Sequence, residues 1–110
     1  MHFEVIVAAV RRSSITGVAT STVAARLWDH GFVAVGADNP SVERLPGNVQ
    51  DGFLHSRVLA LLGILLGELW SLDMLSAECA TDGRYECFFV SCPLRVPGGI
   101  GSPLNAYVIK

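Results

Sequence analysis

Between Asp51 and Trp70 the chain sets one imidazole and one carboxylate, His55 and Glu68, into a mostly apolar run. They stand thirteen positions apart, with Gly63 and Gly67 between them. A polar group in such surroundings costs roughly a few kcal/mol unless something pairs with it. Each therefore needs a partner, and one divalent cation would serve both. Imidazole nitrogen and carboxylate oxygen suit zinc and manganese alike. Two ligands are nevertheless too few for a protein zinc site, which normally takes three or four. Each residue also has a plainer structural role open to it. His55 would stand in the first turn of a helix and bond locally. Glu68 would be a strand-end carboxylate, or would complement the dipole of the helix that follows.

No other residue type completes a site by spacing. The remaining histidines are His2 and His30. His30 falls at a helix end beside Gly31, where an imidazole stabilises the terminal carbonyls. Asp51 precedes His55 by four positions, and its stronger claim is to a helix N-cap. Asp38 lies in Ala37-Asp38-Asn39-Pro40, where Asx-type turn bonding accounts for it. The three cysteines, Cys79, Cys87 and Cys92, form no CxxC pair. Cys87 and Cys92 are five apart in a β-rich stretch, which puts them on opposite faces of a regular strand. All three read as buried free thiols that pack as small hydrophobes.

The elements that must hold these residues are short. Thr20, Ser21 and Thr22 offer N-cap oxygens to a helix over residues 23–30, which Gly31 closes in a left-handed conformation. Residues 32–35 form a short apolar run, expected as a buried strand. A loop rich in Gly, Pro, Asn and Asp follows over residues 36–51. A helix from residue 52 to about 62 is predicted by Leu54, Val58, Leu61 and Leu62, which recur at helical spacing. Residues 64–66 are a second buried strand, and Ser71 caps a helix to about residue 80. The stretch 85–91 is β-rich, the loop over 93–103 holds Pro and Gly, and residues 105–109 close with a strand. A possible strand at residues 3–10 precedes all of this. Helices alternating with short buried strands imply an α/β arrangement.

Composition excludes several functions. The chain has 110 residues, 51% of them apolar, and a net charge of −2 with its eight Lys and Arg scattered. One small domain with a core is possible, whereas a nucleic-acid surface needs a clustered basic face. The N-terminus does not read as a signal peptide, because Glu4 stands where positive charge belongs and Arg11-Arg12 follow the apolar run. The apolar stretch 58–66 is far shorter than the roughly 20 residues a membrane span needs. A cytoplasmic protein without disulfides is the expectation.

Five blocks in order carry a resemblance. The first runs Phe53-Leu54-His55-Ser56-Arg57-Val58-Leu59 through Gly67-Glu68-Leu69-Trp70. The others are Leu27-Trp28-Asp29-His30-Gly31, Val35-Gly36-Ala37-Asp38-Asn39-Pro40, Asp82-Gly83-Arg84-Tyr85-Glu86 and Pro97-Gly98-Gly99-Ile100-Gly101-Ser102-Pro103. Together they resemble the C-terminal half of the metal-dependent cyclase family, which includes bacterial kynurenine formamidase. The resemblance covers residues 17–110 and leaves residues 1–16 as a non-family segment. It implies a partial swivelling β/β/α domain, with His55 and Glu68 as metal ligands for zinc or manganese. It also implies arylformamidase-like hydrolysis of N-formylkynurenine-type amides, a step of tryptophan catabolism. The family's HxGTHxDxPxH motif, which supplies the other ligands and the proton-transfer histidine, has no counterpart in this sequence. The expectation is therefore a C-terminal fragment that is inactive alone and joins a separate N-terminal half or a second copy. The alternatives are a non-catalytic remnant, or a metal-free oligomerising module whose Leu-rich run is an interface.

Overall fold

The computed structural model describes residues 20–43, 45–47 and 49–110. The expected strand at 3–10, the segment 1–16 and His2 lie outside the described residues. Helix α1, Thr20–Asp29, starts in the Thr-Ser-Thr cluster and ends as the sequence predicts. Gly31 takes φ +71°. Phe32 N–H donates to Leu27 O at 3.1 Å and Gly31 N–H to Trp28 O at 2.9 Å. This pair of bonds is a Schellman motif, which satisfies carbonyls that the helix end leaves without partners. The His30 ring adds a 2.8 Å bond between Nδ1 and Arg26 O, the terminal role expected of it.

Strand β1, Ala34–Gly36, pairs in parallel with β2, Leu65–Gly67, in the register Ala34↔Leu65, Val35↔Leu66 and Gly36↔Gly67. Parallel neighbours need a long crossover, and here it is the Gly/Pro/Asn loop followed by a helical segment. That segment is not the predicted α-helix from residue 52. It begins at Leu54 and continues as a π-helix over Ser56–Leu61. Leu62 N–H donates to Arg57 O at 3.1 Å, five residues back. A π-helical turn is wider than an α-turn, so the apolar stripe follows Leu54, Val58 and Leu62. Leu61, predicted on the inner face, is 78% exposed. Gly63 ends the segment at φ +69°.

The core joins Ala24 of α1, Val35 of β1, Ala37 and Val42 of the loop, and Leu54, Val58 and Ile64 of the crossover. Val58 is fully buried. The strands expected to be buried are so only in part: Val35 and Gly36 of β1 and Gly67 of β2 are buried, and Leu66 is half-buried. Leu65 alternates to the outer side and is 62% exposed, because among the described residues no third strand or helix covers it.

Helix α2, Asp73–Asp82, starts at Leu72 without a side-chain cap, so the predicted Ser71 cap is replaced. It ends on Gly83 at φ +68°, whose N–H donates to Cys79 O at 2.9 Å. Strands β3, Phe88–Ser91, and β4, Ala106–Ile109, form an antiparallel pair. Cys79 is buried, Cys87 half-buried and Cys92 exposed. Cys92 follows β3 rather than lying within it, so it is not the buried thiol expected. The α/β class of the sequence reading holds.

Candidate functional site

Glu68 is positioned by a tight local arrangement just after β2. Gly36 and Gly67 sit opposite one another across the parallel pair, and the indole of Trp70 lies over both. A Cβ at Gly36 would stand 2.6 Å from Trp70 Cζ3, and one at Gly67 would meet the same ring. Only glycine lets the ring come this close. Leu69 adopts φ 58° to fold the chain back, a left-handed conformation that costs about 1–2 kcal/mol for a residue with a Cβ. The turn is held by Leu69 N–H to Asn39 O and Trp70 N–H to Ala37 O, both at 3.0 Å. The Trp70 ring stacks with Phe89 of β3, with centroids 5.4 Å apart. The outcome is that Glu68 Oε1 points back to the loop and accepts Val42 N–H at 3.0 Å.

His55 stands at the start of the π-helical segment. Its Nε2 lies 3.2 Å from Glu68 Oε1. The structure thus brings together the two residues that the resemblance implies as ligands. On its other side, ring Nδ1 lies 2.6 Å from Glu43 Oε1, and the same oxygen accepts His55 N–H at 2.6 Å. The helical turn is therefore capped by Glu43 from the distant loop. Asp51 lies in an exposed turn three residues before Leu54, and its carbonyl accepts the Thr20 hydroxyl. Side-chain exposure falls from 39% at His55 to 29% at Glu68 and 8% at Glu43.

Glu43 was not singled out from the sequence. The block of resemblance around Asp38 stops at Pro40, three residues short of it. The available signal was weak: one acid in Pro40-Ser41-Val42-Glu43, inside a stretch otherwise typical of a loop. At Asp38 the Asx-type bonding expected does not run through Oδ1. That oxygen, with Asn39 Oδ1 and Arg57 Nε, is buried without a partner among the described residues.

Does the His55–Glu68 pair fit a divalent ion? Two ligand atoms each about 2.1 Å from zinc stand about 3.0 Å apart at a right angle and about 3.4 Å at the tetrahedral angle. The observed 3.2 Å lies between these values. The fit extends to two ligands only. Among the described residues no group of three or more His, Cys, Asp or Glu side chains could hold a metal ion. Glu43 does not make a third, because it occupies the opposite ring nitrogen and the two lone-pair directions of an imidazole diverge. A shallow apolar concavity lined by Trp28, Phe32, Val33, Leu62 and Ile64 includes none of these polar groups.

Comparison with solved structures finds a protein whose crystal structure is described as that of a novel cyclase. It is 39% identical, superposes with a TM-score of 0.72, and its alignment covers 80% of this chain. The chain is related to the cyclase family. It spans 28% of that cyclase's length. No protein-family model matches the chain, and no curated protein matches it either. No described helix is long and apolar enough to cross a membrane.

Proposed function

We propose that this cyclase relative carries part of the divalent-metal site of a hydrolase acting on N-formyl aromatic amines, arylformamidase-like chemistry in cytoplasmic tryptophan catabolism. The observation that supports this is the 3.2 Å approach of His55 Nε2 and Glu68 Oε1, at a spacing that two ligands of one ion adopt. In this reading the chain corresponds to the later half of a cyclase domain. The remaining ligands, of the HxGTHxDxPxH kind, come from outside the described residues.

A divalent ion bound there, zinc or manganese, would lower the pKa of coordinated water toward neutrality and polarise the scissile carbonyl. The chain's own part is to hold and orient. Val42 N–H fixes the direction of the Glu68 carboxylate, and the Trp70 turn fixes its backbone. His55 presents Nε2 from the first turn of a helical segment anchored in the core through Leu54 and Val58. Proton transfer belongs to a group outside the described residues.

The two-ligand count also favours a second reading, a non-catalytic partner subunit or remnant. An N-formylkynurenine assay separates them. The chain alone is expected to match buffer. Mixed with a polypeptide bearing an HxGTHxDxPxH motif, it should give saturable hydrolysis that His55→Ala and Glu68→Ala each abolish. Mixed samples that remain at the buffer rate favour the second reading.

A further inference from the structure

We infer that Glu43 is a positioning residue for His55: its carboxylate fixes the neutral imidazole as the Nδ1–H tautomer and so turns the Nε2 lone pair toward Glu68. This rests on the proposed use of His55 and Glu68 as metal ligands. Two carboxylates face the ring, and geometry decides between them. Glu43 Oε1 is 2.6 Å from Nδ1, whereas Glu68 Oε1 is 3.2 Å from Nε2. The Glu43 side chain is also the more buried, 8% exposed against 29%, and a charge-assisted bond gains strength as water is excluded. An ionised carboxylate accepts and never donates. Nδ1 therefore keeps the proton, and Nε2 is the nitrogen left free to bind an ion.

The same oxygen takes His55 N–H at 2.6 Å, so backbone and ring are located by one group. Glu43 is itself held by its own N–H, which donates to Ser41 Oγ at 3.2 Å. A histidine that ligates a metal through one nitrogen commonly gives its other N–H to a carboxylate, which sets ring orientation and basicity. Glu43 stands in that relation to His55. The competing role is a helix cap alone, which would need the backbone contact and leave the ring indifferent.

The test is a long-range proton–nitrogen-15 correlation spectrum of the histidine rings in the full chain, at a pH high enough for neutral rings. Wild type should show His55 in the Nδ1–H form. Glu43→Gln, which keeps an acceptor oxygen, should retain that form, while Glu43→Ala should lose it. Manganese affinity should fall about 10–100-fold in Glu43→Ala. An Nε2–H ring in wild type, or an unchanged tautomer in Glu43→Ala, overturns the inference. If Glu43→Ala fails to fold, the wild-type and Glu43→Gln spectra still decide. Equal manganese uptake by wild type and His55→Ala would instead sink the metal reading, and leaves the tautomer result to be judged on its own.

Discussion

Replacing Gly67 by alanine tests how the fold positions Glu68. The added methyl would lie 2.5 Å from Cε2 and Nε1 of Trp70, against an ordinary carbon contact of about 3.5–4.0 Å. The indole must therefore retreat by about 1 Å or more. It cannot do so freely, because Phe89 stacks on it and Trp70 N–H is tied to Ala37 O. Overpacking of this kind costs about 1–3 kcal/mol, and a disturbed aromatic stack adds up to about 0.5–1.5 kcal/mol. A loss of about 2 kcal/mol is expected, which lowers the thermal midpoint by about 8–16 °C for a domain of this size.

The assay is denaturant unfolding followed by near-ultraviolet circular dichroism, run as a double-mutant cycle with Trp70→Ala. Without the indole the new methyl has room, so Gly67→Ala in that background should change stability by less than about 0.5 kcal/mol. The coupling between the two sites should then exceed about 1 kcal/mol. Additive effects, or a Gly67→Ala chain as stable as wild type, would refute the claim that paired glycines seat the ring.

Lys110 Nζ lies 2.8 Å from Asp82 Oδ1 and 2.9 Å from Arg84 O. The hydrogen bond from Lys110, then that from Arg84 N–H, holds the Asp82 carboxyl below its usual range, and Asp82 holds the Lys110 ammonium above its own. The pair's stabilisation is thus fully present from the ordinary carboxylate range up to the ordinary lysine range. It is lost as pH falls through the depressed Asp82 value or rises through the elevated Lys110 value. Nuclear magnetic resonance titration should show both displacements, and Asp82→Asn should lower the Lys110 value from its raised position; an undisplaced Asp82 contradicts the contact. Mapping by iodoacetamide should find Cys92, exposed beyond β3, alkylated first. Cys87 should lag because burial pushes its thiol up, and early reaction of buried Cys79 would contradict the packing of α2.

The sequence made legible what local chemistry dictates. The Schellman end of α1 follows from Gly31, and the end of α2 follows from Gly83. The approach of His55 and Glu68 follows from blocks that fix their order and their elements. What was not legible depends on contacts distant in sequence. Apolar spacing at Leu54, Val58 and Leu62 does not distinguish an α-turn from a π-turn, since four-residue steps suit either. Both strands end at the glycines under Trp70 because of the indole, which no strand propensity reports. Ser71 lost its cap role to the same turn, which delivers the chain into α2 at Leu72. Glu43 reaches His55 across twelve positions of loop, where only the folded chain reveals the pairing.

In the proposed function, His55 and Glu68 grip one cation. Calorimetric titration of manganese into the full chain, wild type against the His55→Ala, Glu68→Ala double variant, tests it most directly. Weak one-to-one binding by wild type is expected, since two protein ligands leave most of the coordination shell to water, with no binding heat from the variant. Equal uptake by the two proteins would contradict a cation shared by these two side chains.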